Sequence, residues 1–393
     1  MRPFTRLFLA STISNLGDGV LLAALPLVAR RLTDDPLTIS AVSAAATAPW
    51  LLFGLTAGAI VDRVHRVRLM VAVDVARAAL LAGFALLVVS DRTSIALLAV
   101  LVALIGIGET LFDTAAQSVV PAVVSGDRLE AANGRLFGAQ LAANGFVGPP
   151  MGAALFAVAA GWPLALDAMT FAVSAALLWG VRRHTPVPTS PATSTLRADV
   201  REGLSWLWAD PGIRAFAIGA ATINLAHTAV MAIAVLFVRD ELGAGATSFG
   251  LTLTGAAVGG LTGTVVAPWV VRRVGRRRAV IGAIAAFGAG LLVAGTASTV
   301  VATASGLAVL GAAGEVWNVV AVSYRQARVP DRLLGRVMAS YRVLAYGAMP
   351  VGALAGGALA RFGLRTPFLV GAAVVGALLV YFVPATRGEV LPA

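Results

Sequence analysis

LFLASTISNLGDGVLLAALPLVA, from Leu7 to Ala29, is a run of 23 residues with a single charge, Asp18, near its middle. A helix rises about 1.5 Å per residue, so this run is ~35 Å long and spans a bilayer core of roughly 30 Å. It is longer than the apolar part of a signal peptide, and no small-residue cleavage site follows it, so it is read as a retained first span. Outward from it the pattern recurs at residues 40–61, 69–89, 94–120, 135–159, 163–181, 214–237, 248–271, 279–297, 299–323, 337–360 and 366–384. Twelve such runs predict an all-α polytopic membrane protein.

Composition agrees. Of 393 residues 59% are hydrophobic and 12% charged, about half the charged share of soluble domains, and the mean hydropathy is +0.87. The net charge of +11 does not mark a nucleic-acid binder, because the basic residues sit in short loops and not on one continuous face. All 30 basic residues are arginine, and cysteine is absent. Disulfides, thiolate metal sites and cysteine nucleophiles are thereby excluded, and without lysine there is no GxxxxGK[ST] nucleotide loop to drive an ATP pump. His65, His184 and His227 are scattered with no nucleophile-base-acid grouping and no metal-ligand spacing, so neither enzyme, cofactor nor metal is expected.

With the N-terminus inside, 22 arginines fall in inward segments, 6 face outward (Arg30, Arg31, Arg92, Arg239, Arg361, Arg365) and 2 lie within spans (Arg77, Arg342). Basic loops resist translocation, so both termini are expected on the cytoplasmic side of a bacterial inner membrane. The longest polar stretch divides the chain into a six-span bundle at 1–182, a linker at 183–213 and a second bundle at 214–393. The linker begins with flexible TPVPTSPATSTL and ends in amphipathic VREGLSWLWADP, whose Leu204, Trp206, Leu207 and Trp208 suit the inner membrane surface.

The halves also repeat. Phe8 onward aligns with Phe216 onward, pairing Asn15 with Asn224 and Asp18 with His227; Arg63 and Arg66 align with Arg273 and Arg276, Glu109 with Glu315, and Gly134–Pro149 with Gly335–Pro350. Four pairings in one order imply two pseudo-symmetric bundles with a substrate site between them near the midplane.

GAIVDRVHRVR, Gly58 to Arg68, resembles the G-x-x-x-D-R-x-x-R-x-R loop signature of the major facilitator superfamily, and GPPMG, Gly148 to Gly152, resembles the G-P-x-x-G core of its exporter motif. SNLGDGVLLAALPLVA in the first span and GETLFDTAAQSVVPAVVSGDRLEAANG in the fourth are similar to the macrolide-efflux and enterobactin-exporter group of twelve-span drug:proton antiporters. The resemblance covers almost the whole chain. It implies the major facilitator fold, with the first, fourth, seventh and tenth helices lining a central cavity. The sequence departs from the pattern at Arg272, where the first copy has Asp62, and at Asn144 and Ala153, where glycine is usual. The fourth span also lacks the arginine that many such antiporters carry.

Asn15 and Asp18 share a face of the first span; Glu109, Asp113 and Gln117 share one of the fourth; Asn224 pairs with His227 in the seventh and Glu315 with Asn318 in the tenth. A charge at membrane depth costs roughly 3 kcal/mol by insertion scales, so such groups face water or a partner and are functional candidates. Asp18, Glu109 and Asp113 are the proton-coupling candidates, set against helix-packing hydrogen bonds and, for Asp113, a pairing with Arg66. Asn15, Asn224, His227, Glu315, Trp317 and Asn318 are substrate-cavity candidates; His227 is otherwise a neutral bonded histidine, and Trp50 and Trp317 are either cavity lining or packing. Gly58, Asp62, Arg63 and Arg66 are gating candidates, against a solvated positive loop. Asp74 and Arg77, three apart, are read as a local pair, and Asp167 as wet and without a role. Gly148, Pro149, Pro150 and Gly152 make a kinked hinge in the fifth span, and the 42 glycines suit close packing and sliding.

The expected function is proton-coupled efflux of amphipathic small molecules or drugs by a monomer, through alternating access, with protons, substrate and lipid as its partners. The alternatives are an importer or lipid flippase on the same scaffold, or a non-transporting receptor. Midplane carboxylates count against the last.

Overall fold

The computed structural model of the protein describes residues 3–61, 63–124, 129–181 and 196–386. Every regular element among them is helical, and twelve helices are long and apolar enough to cross a membrane. In the first half these are α1 (Pro3–Leu32), α2 (Pro36–Val61), α3 (Arg66–Val89), α4 (Ile95–Val123), the fifth span, and α7 (Trp162–Trp179). After α8 (Leu196–Ala209) come α9 (Pro211–Met231), a short α10 (Ala234–Leu236), α11 (Ala246–Val274), α12 (Arg276–Thr296), α13 (Val300–Arg328), α14 (Asp331–Ala360) and α15 (Thr366–Ala385).

Local sequence explains where the helices start. Ser94 and Thr299 accept the Leu97 and Ala302 N–H groups at the heads of α4 and α13, and Asp210 accepts both Gly212 and Ile213 N–H at 2.9 Å at the head of α9. α11 passes to α12 through Gly275 alone, at φ 81°, a conformation that a side chain disfavours.

The fifth span departs from the expected kink. α5 (Leu129–Gln140) opens into a π-helical stretch, Leu141–Val147, and α6 (Gly148–Val158) restarts with its prolines in the first turn. Pro149 and Pro150 have no N–H to donate and crowd the carbonyls one turn back, so the regular ladder fails before them and a wider turn absorbs the mismatch. The distortion therefore lies upstream of GPPMG, which itself forms the head of a regular helix.

The chain divides into two compact units, Met1–Asp34 with Ala45–Ala192, and Asp35–Ala44 with Thr193–Ala393. The first turns of α2 and all of α8 group with the second unit. The proline-rich part of the expected linker lies outside the described residues. In the first unit α1 packs against α7 and α6, and α3 against α7 and α4, around buried Leu7, Met70, Phe112 and Leu178. In the second, α8 packs on α14: Glu202 pairs with Arg336, Leu207 is fully buried, and a Cβ on Gly203 would lie 2.4 Å from the Arg336 carbonyl. The amphipathic helix therefore spends its apolar face on protein, with Trp208 left exposed.

α11 and α13 meet along a seam of small residues. A Cβ on Gly259 would stand 1.8 Å from the Ala308 carbonyl, one on Gly263 2.3 Å from that of Ala312, and one on Gly255 3.0 Å from Ala304. Backbone against backbone at this range is tight packing, which leaves no clearance for the free sliding that glycine content alone suggested.

Candidate functional site

Asp18 lies at the middle of α1, and its carboxylate is reached by the Arg77 guanidinium of α3, Nη2 to Oδ1 at 3.5 Å. The direct ion pair of Arg77 is thus with Asp18, while Asp74, one turn away, feels its charge without direct contact. Asp74 instead accepts the Ser174 hydroxyl of α7 at 2.6 Å. The Arg77 stem runs past Gly108, where a Cβ would come within 3.1 Å of its Cδ, and the guanidinium lies 4.3 Å over the Phe171 ring. Gly108 makes room and Phe171 supplies a floor, so the cation is fixed in place.

Around that one guanidinium stand five carboxylates. Glu109 of α4 feels the charges of Asp18, Arg77 and Asp113, and Asp113 feels Asp18 and Arg77, which joins it to this cluster. Asp167 of α7 is fully buried, not wet: it accepts the Thr170 hydroxyl at 2.7 Å and sits where a Cβ on Gly17 would lie 1.7 Å from its Oδ1. Two tiers result. Asp18, Glu109 and Asp113 are partly exposed, whereas Asp74, Arg77 and Asp167 are buried behind them. Among the described residues Asp74 Oδ1, Asp167 Oδ2 and Arg77 Nε have no hydrogen-bond partner. Asn15, a turn before Asp18, donates to the Ser11 carbonyl of its own helix at 2.6 Å.

The exporter motif buttresses this site. A Cβ on Gly152 would lie 2.1 Å from the Val20 carbonyl, and one on Gly148 2.5 Å from Gly19 Cα, so α6 presses on α1 immediately beside Asp18. Only glycine allows that approach.

The second unit uses its polar groups differently. Asn224 donates to the Ala345 carbonyl at 2.9 Å and Thr228 to that of Met349 at 3.0 Å, tying α9 to α14. His227 is half-buried between them in sequence, and Glu315 accepts from Asn318 one turn on. Trp317 is not cavity lining: it is 5% exposed, packed against Phe216 and Phe382 with ring centroids 5.2 and 5.3 Å away, over Gly219. Among the gating candidates Arg63 is exposed and Arg66 half-buried at the head of α3; Asp62 and the surroundings of Gly58 lie outside the described residues. Among the described residues no group of three or more acidic or histidine side chains is arranged to hold a metal ion.

Comparison with known proteins agrees with this architecture. The family described as transmembrane secretion effectors matches residues 1–390. The multidrug efflux pump Tap of Mycolicibacterium fortuitum is 27% identical over 391 residues, covering 93% of this chain and 91% of that protein. Among solved structures, an inward-facing bacterial homologue of the iron transporter ferroportin superposes with a TM-score of 0.81 at 18% identity, over 98% of this chain and 99% of the other. A mutant of the nucleoside transporter NupG superposes with a TM-score of 0.80 at 13% identity, over 98% and 100%. At these identities the structural likenesses establish the fold.

Proposed function

The chain belongs to the transmembrane secretion effector family and is a multi-pass transporter of the major facilitator type, not an enzyme, and on that premise we propose that it exports amphipathic small molecules or drugs in exchange for protons. The observation that carries the reading is the gathering of Asp18, Glu109 and Asp113 about one buried guanidinium at membrane depth. Carboxylates there are costly when ionised and unpaired, so each exchanges between a proton and another cation. A cationic substrate and a proton then exclude one another, and by linkage each weakens the other's binding by the same factor. Likeness to a multidrug efflux pump supports the outward direction. The arginine asymmetry supports an inner-membrane orientation with both termini cytoplasmic. The Asp62 loop is proposed to favour one of the two transport conformations, in a monomer.

Purified protein in liposomes, with an imposed pH gradient and tetraphenylphosphonium as probe, tests this. Uphill cation movement against a proton flux is expected, and loss of the coupling in the Asp18→Asn, Glu109→Gln double variant. Uptake in the opposite sense would favour the importer reading, lipid scrambling the flippase, and no movement of any kind the receptor. Full coupling in the folded double variant would remove these residues from the mechanism.

A further inference from the structure

Arg77 has no place in the scheme so far except as a neighbour, yet nothing about its setting is accidental. A guanidinium 2% exposed at membrane depth is held by a glycine-sized gap at Gly108 and a ring floor at Phe171, and its reach ends at the long edge of contact with Asp18. The charged groups that face Asp18 are Arg77 and Asp74 from α3, Glu109 and Asp113 from α4, and Asp167 from α7; the π-helical stretch and α6 contribute none. Arg77 is the single cation among them, fastened from behind, while Asp18 remains open on its other side with 21% of its side chain exposed.

We propose that Arg77 is a resident counter-ion which competes with the transported cation for Asp18, a positioning residue that keeps binding weak enough for release. The inference rests on the reading of Asp18 as the exchange carboxylate. A cation arriving at the open side of Asp18 meets a carboxylate already partly neutralised at 3.5 Å, and it must share that charge with a guanidinium that cannot leave. Affinity is thereby lowered in the loaded state, and the arginine restores neutrality at the moment of departure. Without it, release of the substrate would leave a bare carboxylate at membrane depth until a proton arrived.

Binding of tetraphenylphosphonium to the purified full chain, set beside turnover in liposomes, tests the assignment. In Arg77→Gln at alkaline pH the probe should bind at least tenfold tighter, while turnover falls. On acidification the gain should vanish, because a proton takes the place of the missing guanidinium. Arg77→Lys, which keeps the charge, should bind within threefold of wild type. Asp18→Asn combined with Arg77→Gln should show no gain. A merely structural arginine would weaken binding and turnover together, and that result in a monodisperse variant overturns the proposal. So does a gain that persists in the double variant, or failure of both wild type and Arg77→Gln to bind the cation. Arg77→Met, which adds no buried amide, reads the same quantity should the glutamine variant aggregate. Tighter binding without proton exchange in the wild type would retain this role for Arg77 and reject proton coupling instead.

Discussion

Gly152→Ala adds one methyl group where α6 meets α1, and its consequence can be worked from distances. The new Cβ would stand 2.1 Å from the Val20 carbonyl, whereas ordinary contact begins at 3.4 Å, so the helices must part by 3.4 − 2.1 = 1.3 Å. Val20 follows Asp18 by two residues on the same rigid helix. A displacement of α1 at Val20 reseats Asp18, and with it the 3.5 Å contact to Arg77, which depends on how α1 sits. Overpacking of this kind costs about 1–3 kcal/mol. Thermal unfolding in detergent should show the loss, and transport should fall further than stability alone accounts for, because Asp18 has lost its register with Arg77. Gly138→Ala on α5 of the same span is the control, since a Cβ there meets nothing within 4 Å. Its helix should gain up to about 1 kcal/mol from alanine's propensity. A Gly152→Ala protein as stable and active as Gly138→Ala would refute the claim that α6 sets the position of Asp18.

Three further outcomes are expected. Asp35 accepts the Thr38 hydroxyl and N–H and the Arg361 guanidinium, which hold its carboxyl down at about 2. Its stabilising contribution is therefore complete above its unfolded value of about 3.9 and lost as pH falls from there through 2, so the unfolding profile of Asp35→Asn should lack that acid limb; identical profiles would argue against the contact. Trp317→Ala should cost about 3–5 kcal/mol of stability, and in the folded variant leave cation affinity unchanged; lost affinity at full stability would return Trp317 to the substrate site. Because the chain lacks cysteine, single cysteines at Ser90 and Gly243 should label from outside intact cells and one at Arg276 only from within, the reverse pattern overturning the orientation.

Span number and fold class were legible because hydropathy is a property of sequence alone. So were Asp18 and Glu109, since an acid inside an apolar run is conspicuous wherever the helix points. Asp74 does feel the Arg77 charge, as three-residue spacing on one helix suggests, but the direct ion pair with Asp18 was not legible, because it depends on how α3 is rotated against α1 and α7. Asp167 was placed in water because its position along the span is near an end, and only the gap left by Gly17 across the interface reveals its burial. Glycine beside a charged residue, as at Gly17–Asp18 and Gly108–Glu109, was the available signal that a neighbouring polar group comes close. Trp317 has the same explanation in reverse, with Gly219 making room for its ring. In the fifth span the prolines were visible, but the side on which the lost donors would distort the helix follows from the backbone ladder, which runs from each N–H toward the preceding turn.

The seam between α11 and α13 carries a mechanical corollary. Gly255, Gly259 and Gly263 engage Ala304, Ala308 and Ala312 at matching four-residue intervals, so the two helices mesh like toothed racks with a pitch of ~6 Å. Any slip smaller than one tooth drives a methyl group into a carbonyl oxygen, and a slip of a whole tooth strands the end of each rack without a counterpart. Meshed in this way, the two helices are set to shift together as one body rather than past one another.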